Sequence, residues 1–371
     1  MLWVILLVAP FCALPMREQN WNSETEYMLP FSRVNYEPSW CRMAATEHSR
    51  MGTNSWEPEN RKRMFVLGMG FVGHFFAQQL KSQGCFLKWI IRDVSGTCSS
   101  TMKKKKLEDL GFDNDIYHFD ANEPEWSILD VLNSHTHLLV SIPPFVDIGD
   151  PMLQHEELLK KRLMDGNLQW LCYLSSTSLY GNCCGEWVDE EYPASPTGEL
   201  AKLRLAAEKR WLDLGHNIGI KVHVFRLGGI YGPGRSAVDT IIKQEDLSAG
   251  QRRRTHKLYT SRVHVEDICQ ALKASTLAFF PGKVFNIVDD DPAPREEVFA
   301  YAKYLIERKW PGQIKWSAEE EEALVRVKKE SLFGEKRVSN VRMKKELGVK
   351  LLYPSYRSGL QSIIDQMENP F

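Results

Sequence analysis

The chain has 371 residues, 43% of them hydrophobic, enough for one large α/β domain or two smaller ones around a real core. Its 47 basic and 48 acidic side chains leave a formal net charge of -1, which argues against bulk electrostatic capture of nucleic acid and points to small molecules as ligands. The 8 cysteines show no regular spacing and no paired C-x-x-C, the usage of free thiols in a reducing compartment.

Met1 to Pro15 is apolar, but no Lys or Arg precedes it, no clean small-residue cleavage site follows, and it is short for a bilayer. Residues 16–63 are polar without sustained periodicity, so 1–63 is read as a disordered leader, with Met43 and Met51 as alternative starts. Glu18, Glu24, Glu26 and Glu37 count against an organellar presequence. The expected compartment is the cytosol or chloroplast stroma before a secreted one, with no stable membrane insertion.

From Met64 the run Met-Phe-Val-Leu breaks into Gly68-x-Gly70-x-x-Gly73 and then into a helical pattern, Phe75 to Leu80. In such a turn Gly68 lets the strand reverse, Gly70 admits a pyrophosphate against the backbone and Gly73 lets helix pack on strand. Amides at the helix start, those of Phe71 and Val72 among them, would hold the phosphates. Further strands are expected within Phe86 to Cys98 and at Ile116 to Phe119, His137 to Ser141, Leu168 to Ser175, Lys221 to Arg226 and Val284 to Ile287, with helices between them. Ser195-Pro196 predicts the start of a helix carrying Leu200, Leu203, Ala207, Trp211 and Leu214 on one face.

Alternating strands and helices define an α/β fold, a Rossmann-like doubly wound parallel sheet. Beyond about residue 228 the loops lengthen, Arg252-Arg253-Arg254 appears and a charged helix from Ala318 to about Ser331 follows. The expected organisation is a dinucleotide-binding domain over 64–228 and a smaller substrate-binding lobe over 229–371, interleaved with the sheet across a cleft. The runs Lys103 to Lys106 and Glu319 to Glu322 read as solvated helix faces.

About twenty positions past the glycines an acid would bind an adenosine ribose and an Arg a 2′-phosphate. Arg92 and Asp93 both fall there, so NADP and NAD both stay open. A second register ends the strand at Ser99 and sets Ser99 or Ser100 at the ribose. Asp120 is a candidate for the adenine amino group or a plain helix or turn cap. Ser141 and Pro143 end the next strand, where a loop near the nicotinamide is expected.

Five segments in order carry a family likeness: Gly68-Met-Gly-Phe-Val-Gly73, Leu174-Ser-Ser-Thr-Ser-Leu-Tyr-Gly181, Phe225-Arg-Leu-Gly-Gly-Ile-Tyr-Gly-Pro-Gly234, Arg262-Val-His-Val-Glu-Asp267 and Phe285-Asn-Ile-Val-Asp-Asp-Asp-Pro292. They resemble the extended short-chain dehydrogenase/reductase superfamily of NAD(P)-dependent epimerases and dehydratases. Lys336-Arg-Val-Ser-Asn340 and Tyr353 to Leu360 further resemble an atypical branch whose members often lack the active-site tyrosine.

The resemblance implies that Ser176 hydrogen-bonds the substrate oxygen, that a Tyr acts as general acid or base, and that a Lys four residues later binds the nicotinamide ribose and lowers the Tyr pKa. A phenol near pKa 10 serves at neutral pH only beside a cation that stabilises its anion. If Lys202 is that cation, Gly198 stands at the Tyr position; if Glu208 sets the register, the pair becomes Arg204 and Leu200. The second register fits the helix better, and neither supplies a phenol. Tyr180 and Tyr192 are candidate substitutes, Tyr180 more simply packed beneath the loop.

Arg235, Arg262, His264 and the Arg252 to Lys257 run stand where relatives bind a nucleotide diphosphate. His264 and Asp267 read more simply as fixing a helix start, and Asp289 to Asp291 as a turn and cap. No metal site is expected. Two functions stay open: an oxidoreductase or epimerase acting on a sugar nucleotide or another small carbonyl or hydroxyl compound, as monomer or homodimer, and a coenzyme-binding protein without turnover that serves as a sensor or binds a partner.

Overall fold

The computed structural model describes residues 62–82, 91, 93–112, 115–121, 127–243, 258–278, 280, 282–314 and 335–371. The leader, Arg92, the Arg252 to Lys257 run, Glu319 to Glu322 and the expected Ala318 to Ser331 helix lie outside the described residues. Among the described residues the strands are β1 (Arg63–Leu67), β2 (Asp93–Cys98), β3 (Ile116–His118), β4 (His137–Val140), β5 (Trp170–Ser176), β6 (Trp187–Val188), β7 (Lys221–Leu227), β8 (Gly229–Tyr231), β9 (Arg262–His264), β10 (Val284–Ile287) and β11 (Arg337–Val338). The helices are α1 (Phe71–Ser82), α2 (Thr101–Asp109), α3 (Ser127–Asn133), α4 (Glu156–Met164), α5 (Glu199–Ile218), α6 (Ala237–Ile242), α7 (Val265–Thr276), α8 (Arg295–Lys309), α9 (Val341–Glu346) and α10 (Tyr356–Gln366).

Seven strands make one parallel sheet in the order β10-β7-β5-β4-β1-β2-β3. From β1 the chain winds outward to β2 and β3, then returns to β4 on the other side of β1. That reversal is the switch point of a doubly wound sheet, and ligands bind in the crevice it leaves beyond the strands' carboxyl ends.

Both faces of the sheet are covered, which is why its strands read as unbroken apolar runs. In β1, Met64 and Val66 pack on one side with Phe76, Ala77 and Leu80 of α1 and Ile268, Ala271 and Leu272 of α7. Phe65 and Leu67 point to the other side, against Ile128 and Leu132 of α3, Leu159 and Leu163 of α4 and Trp211 and Leu214 of α5. Each such side chain contributes on the order of 1.5–3 kcal/mol by leaving water. A third apolar cluster joins Val238 and Ile241 of α6, Ala302, Leu305 and Ile306 of α8, and Leu360, Ile363 and Ile364 of α10.

β2 lies within its expected range, at Asp93–Cys98, in the second of the two registers left open, although the sequence there has weak strand propensity. Gly96 explains the choice, because a Cβ there would lie 2.6 Å from Met69 Cε and 2.7 Å from the Val66 carbonyl oxygen. α5 starts at Glu199, with Gly198 and not Ser195 as its N-cap. The Ser195 carbonyl crosses Gly181 so closely that a Cβ would sit 2.3 Å from it, which keeps this stretch out of the helix.

Candidate functional site

β1 runs straight into the glycine turn. Gly68 has φ +96°, donates its amide to Thr97 Oγ1 at 2.9 Å, and lies so close to the loop after β4 that a Cβ would come 2.9 Å from Ile142 Cγ1. Gly73 sits beneath the turn, where a Cβ would be 2.3 Å from the Gly68 carbonyl oxygen and 2.9 Å from Val66 Cγ1. Both glycines are therefore required by the chain's own packing. Gly70 is different: it is exposed, and a Cβ there would meet nothing within 4 Å among the described residues beyond its chain neighbours. α1 begins directly after it with Phe71 and Val72, carries no acid in its first turn, and is anchored by the His74 amide on the Gly70 carbonyl at 2.9 Å.

The neighbouring strands bring other expected residues to the same edge. Ser141 follows β4 and donates its amide to the Leu67 carbonyl at 2.8 Å; Pro143, two residues on, is exposed. Ser99 follows β2 and is exposed, while Ser100 caps α2 by accepting from the Lys103 amide at 3.2 Å. Asp93 opens β2 at the opposite, amino edge, beside Arg63 at 3.7 Å, so it stands a strand's length from the turn. Asp120 is exposed two residues past β3.

One strand further, Ser176 ends β5 and pairs with Leu227 at the end of β7. Its Oγ accepts from the Ser178 amide at 3.2 Å and so caps the turn of residues 177–180. Lys202 is exposed on α5, and Leu200 in the first turn is 40% exposed. Arg204 is half-buried; burial lowers its pKa, and the Tyr173 phenol nearby works the other way. The Tyr173 hydroxyl is buried without a hydrogen-bond partner among the described residues.

Beneath this edge lies a buried polar network. Arg226 of β7 donates to both carboxylate oxygens of Glu208 on α5 at 2.9–3.2 Å and to the Tyr180 hydroxyl at 3.0 Å. Tyr180 in turn donates to Asn286 Oδ1 at 2.8 Å. Burial opposes the Arg226 charge, but the two-pronged Glu208 contact outweighs it and holds the guanidinium pKa above its ordinary value. Tyr180 is 1% exposed, and burial raises its phenol pKa while the Arg226 guanidinium works the other way.

Past β8, Arg262 of β9 is buried and donates to the carbonyls of Thr260 at 2.7 Å and Ala293 at 2.8 Å. His264 caps α7 through the Glu266 amide, and burial lowers its pKa to about 3, so it stays neutral. Asp267 accepts from the amides of Leu352 at 2.6 Å and Tyr353 at 3.1 Å. Asp289 accepts from the Asp291 amide at 3.4 Å, a turn, whereas α8 starts after Pro294 with no side-chain cap. Arg235 lies elsewhere, with its guanidinium carbon 5.2 Å from the centre of the Phe71 ring. Thr97 and Ile142, which fix the glycine turn, carried no sequence signal, because their role comes from strand pairing alone. Among the described residues no group of His, Cys, Asp and Glu could hold a metal ion, and no helix is long and apolar enough to cross a membrane.

The parallel sheet, its switch point and the glycine turn at β1 together define a Rossmann-type α/β protein. A functionally unknown conserved protein from Silicibacter pomeroyi DSS is 31% identical, with TM-score 0.63 over 83% of this chain and 100% of that one. The UDP-glucuronic acid 4-epimerase of Bacillus cereus, solved with NAD, shares the fold at 14% identity and TM-score 0.60, over 82% of this chain and 96% of its own. The dTDP-glucose 4,6-dehydratase of Bacillus anthracis str. Ames, also in complex with NAD, does so at 16% identity and TM-score 0.60, over 82% and 96%. No family model and no curated protein matches the sequence. The chain belongs to one family with the Silicibacter protein, and it shares its fold with the epimerase and the dehydratase.

Proposed function

We propose that the chain binds a nicotinamide dinucleotide with its diphosphate over Gly70, and that it acts as an oxidoreductase or epimerase-type enzyme on a sugar nucleotide or another small carbonyl or hydroxyl compound. The observation that carries the reading is the contrast among the three glycines. Gly68 and Gly73 are explained by contacts within the chain, whereas a side chain at Gly70 would enter open space beside the amides of Phe71 and Val72. A glycine without an internal reason, at the dipole end of a helix, suits the close approach of a phosphate. The epimerase and the dehydratase of the same fold were both solved with NAD, which supports the same coenzyme class here.

The adenosine half would lie along Ser99 and Asp120, and the nicotinamide half along Ser141 and Pro143. At the carboxyl end of β2, Ser99, Ser100 and Lys103 stand without a carboxylate among residues 99–107, and this favours NADP over NAD. When bound, the nicotinamide supplies hydride chemistry. Ser176 orients the reacting oxygen from the end of β5, and Arg204 holds a ribose or phosphate oxygen, since a guanidinium cannot act as a base at neutral pH. Lys202 is the weaker candidate for that cation, being exposed on the outer side of the first turns of α5. The segment after residue 228, with its own cluster of α6, α8 and α10, would form the substrate side.

A second reading, a coenzyme-binding protein without turnover, is favoured by the α5 edge. Leu200 replaces the phenol and Tyr180 is locked in the buried network. Titrating the purified protein with NADPH and NADH while following nicotinamide fluorescence tests binding; panels of sugar nucleotides and carbonyl compounds then test turnover. Saturable binding with substrate-dependent oxidation of the coenzyme supports the enzyme, saturable binding alone supports the binder, and no binding to either coenzyme ends both readings.

A further inference from the structure

We infer that Arg204 receives an anionic group of the substrate, a carboxylate or a phosphate, so that the compound held at this edge is an acid. This rests on the reading of the β5 edge as the substrate side and narrows it, since that reading left Arg204 a choice between a neutral ribose and a phosphate. Arg204 lies in the second turn of α5, on the face that carries Ala207, Glu208 and Trp211 to the sheet. It is half-buried, yet alone of the described arginines it has no hydrogen bond, ion pair or ring contact. Its natural partner on the helix is Glu208, four residues on. Both Glu208 oxygens are spent on Arg226, at 2.9–3.2 Å. The other acid that bears on this region, Asp150, is spent too: Oδ2 accepts from Trp211 Nε1 at 2.9 Å and Oδ1 from the Met152 amide at 3.0 Å.

The strand that Arg204 faces supplies no counter-charge. Tyr173 and Ser175 stand two residues apart on β5 and share the side that packs on α5. The Tyr173 ring lies against Trp211, with centres 6.4 Å apart, and both hydroxyls are buried without a hydrogen-bond partner among the described residues. The Tyr173 phenol is the group that bears electrically on Arg204, and no carboxylate does so among the described residues. A cation drawn half out of water with five N–H donors and no acceptor is costly, and two idle hydroxyls on the facing strand leave the deficit standing. A ribose would bring neutral oxygens only. A carboxylate or phosphate brings paired oxygens at the spacing of the guanidinium fork and the missing charge as well. The coenzyme's diphosphate is not that anion. α5 packs on the sheet face that holds Phe65 and Leu67, α1 packs on the opposite one, and β5 stands two strands from β1, about 10 Å at the usual strand spacing. The group that meets Arg204 therefore belongs to the second ligand.

The test uses the full chain and its Arg204→Gln and Arg204→Lys variants, with inorganic phosphate, glucuronate, glucose 6-phosphate and neutral glucose as probes. Because the unliganded chain carries an uncompensated charge, Arg204→Gln should melt no lower than the unaltered protein. Inorganic phosphate, compared with chloride at equal ionic strength, should raise the melting temperature of the unaltered chain by a few degrees and leave that of Arg204→Gln in place. By calorimetry the unaltered chain should bind glucuronate or glucose 6-phosphate roughly ten-fold more tightly than glucose, and Arg204→Gln should erase that preference. Arg204→Lys, which keeps the charge and loses the fork, should retain part of it. Glucuronate ahead marks a carboxylic acid as the substrate, glucose 6-phosphate ahead a phosphate ester. A lower melting temperature in Arg204→Gln makes the guanidinium structural and overturns the inference, as does an unaltered chain with no preference for the acids or a preference that survives in the variant. NADPH titration separates the two readings. Coenzyme affinity lost in Arg204→Gln with the acid preference intact assigns Arg204 to the coenzyme and ends the inference; an unaltered chain that binds the acids but neither NADPH nor NADH ends the coenzyme reading and leaves the acid site standing.

Discussion

Two stretches of one sheet edge treat their polar groups in opposite ways. At β1 and β2, Gly70 and Ser99 are exposed, and a Cβ at Gly70 would meet no described residue within 4 Å beyond its chain neighbours. At β5 and β7, Glu208, Arg226, Tyr180 and Asn286 hydrogen-bond one another and are buried, with Asn286 Nδ2 alone of their side-chain groups left without a partner among the described residues. Groups that satisfy each other hold a structure together, and groups that face open space are free to hold a ligand. The proposed binding half and the altered proton-transfer half are therefore separate pieces of the same edge, and substitution should affect them separately.

The largest effect is expected where the buried network is broken. Glu208→Gln leaves the Arg226 charge without its counter-charge and should cost about 3–5 kcal/mol in urea unfolding. Coenzyme affinity of the fraction that stays folded should hold, and an equal loss at the glycine turn would break the division between the two stretches. Gly73→Ala, which drives a Cβ to 2.3 Å from the Gly68 carbonyl oxygen, should cost about 3 kcal/mol and take coenzyme binding with it, because the turn must move.

A pH effect of similar size resides in the sheet beneath. His223 of β7 is buried beside Phe280 and Phe285, and burial lowers its pKa to about 4 from an unfolded value near 6.5. Its contribution to stability is full above pH 6.5 and is lost as the pH falls through about 4, since the unfolded chain takes the proton first. His223→Phe should remove about 2–3 kcal/mol of acid sensitivity between those limits, read as a flatter melting temperature against pH. A slope unchanged by the substitution would show that this imidazole does not titrate as its burial demands. Ser176→Ala is expected to be the mildest, about 1 kcal/mol for the lost turn cap, and to lower turnover by more than it lowers stability if the hydroxyl orients substrate.

The seven sheet strands were legible because burial on both faces writes them as apolar runs that need no partner to be recognised. β6, β8, β9 and β11 were not, since two or three residues carry no period and exist through pairing alone. The position of β2 was open between two registers because Phe86 to Ile91 is the more strand-like text, and the deciding contact of Gly96 with Met69 is tertiary. For the site, the glycine spacing was visible and its meaning was not uniform: sequence gives three equal glycines, whereas packing requires two and leaves Gly70 unexplained. Arg226, Tyr180 and Asn286 each stood in a family motif, yet their meeting on adjacent strands could not be read along the chain.

The most direct test of a phosphate cradle at Gly70 is to fill it. Gly70→Val sets its Cβ where, beyond its chain neighbours, no described residue lies within 4 Å, so the melting temperature should stay within a few degrees of the unaltered protein while NADPH and NADH titrations lose saturation. A variant that melts alike and still binds coenzyme as tightly would contradict the account.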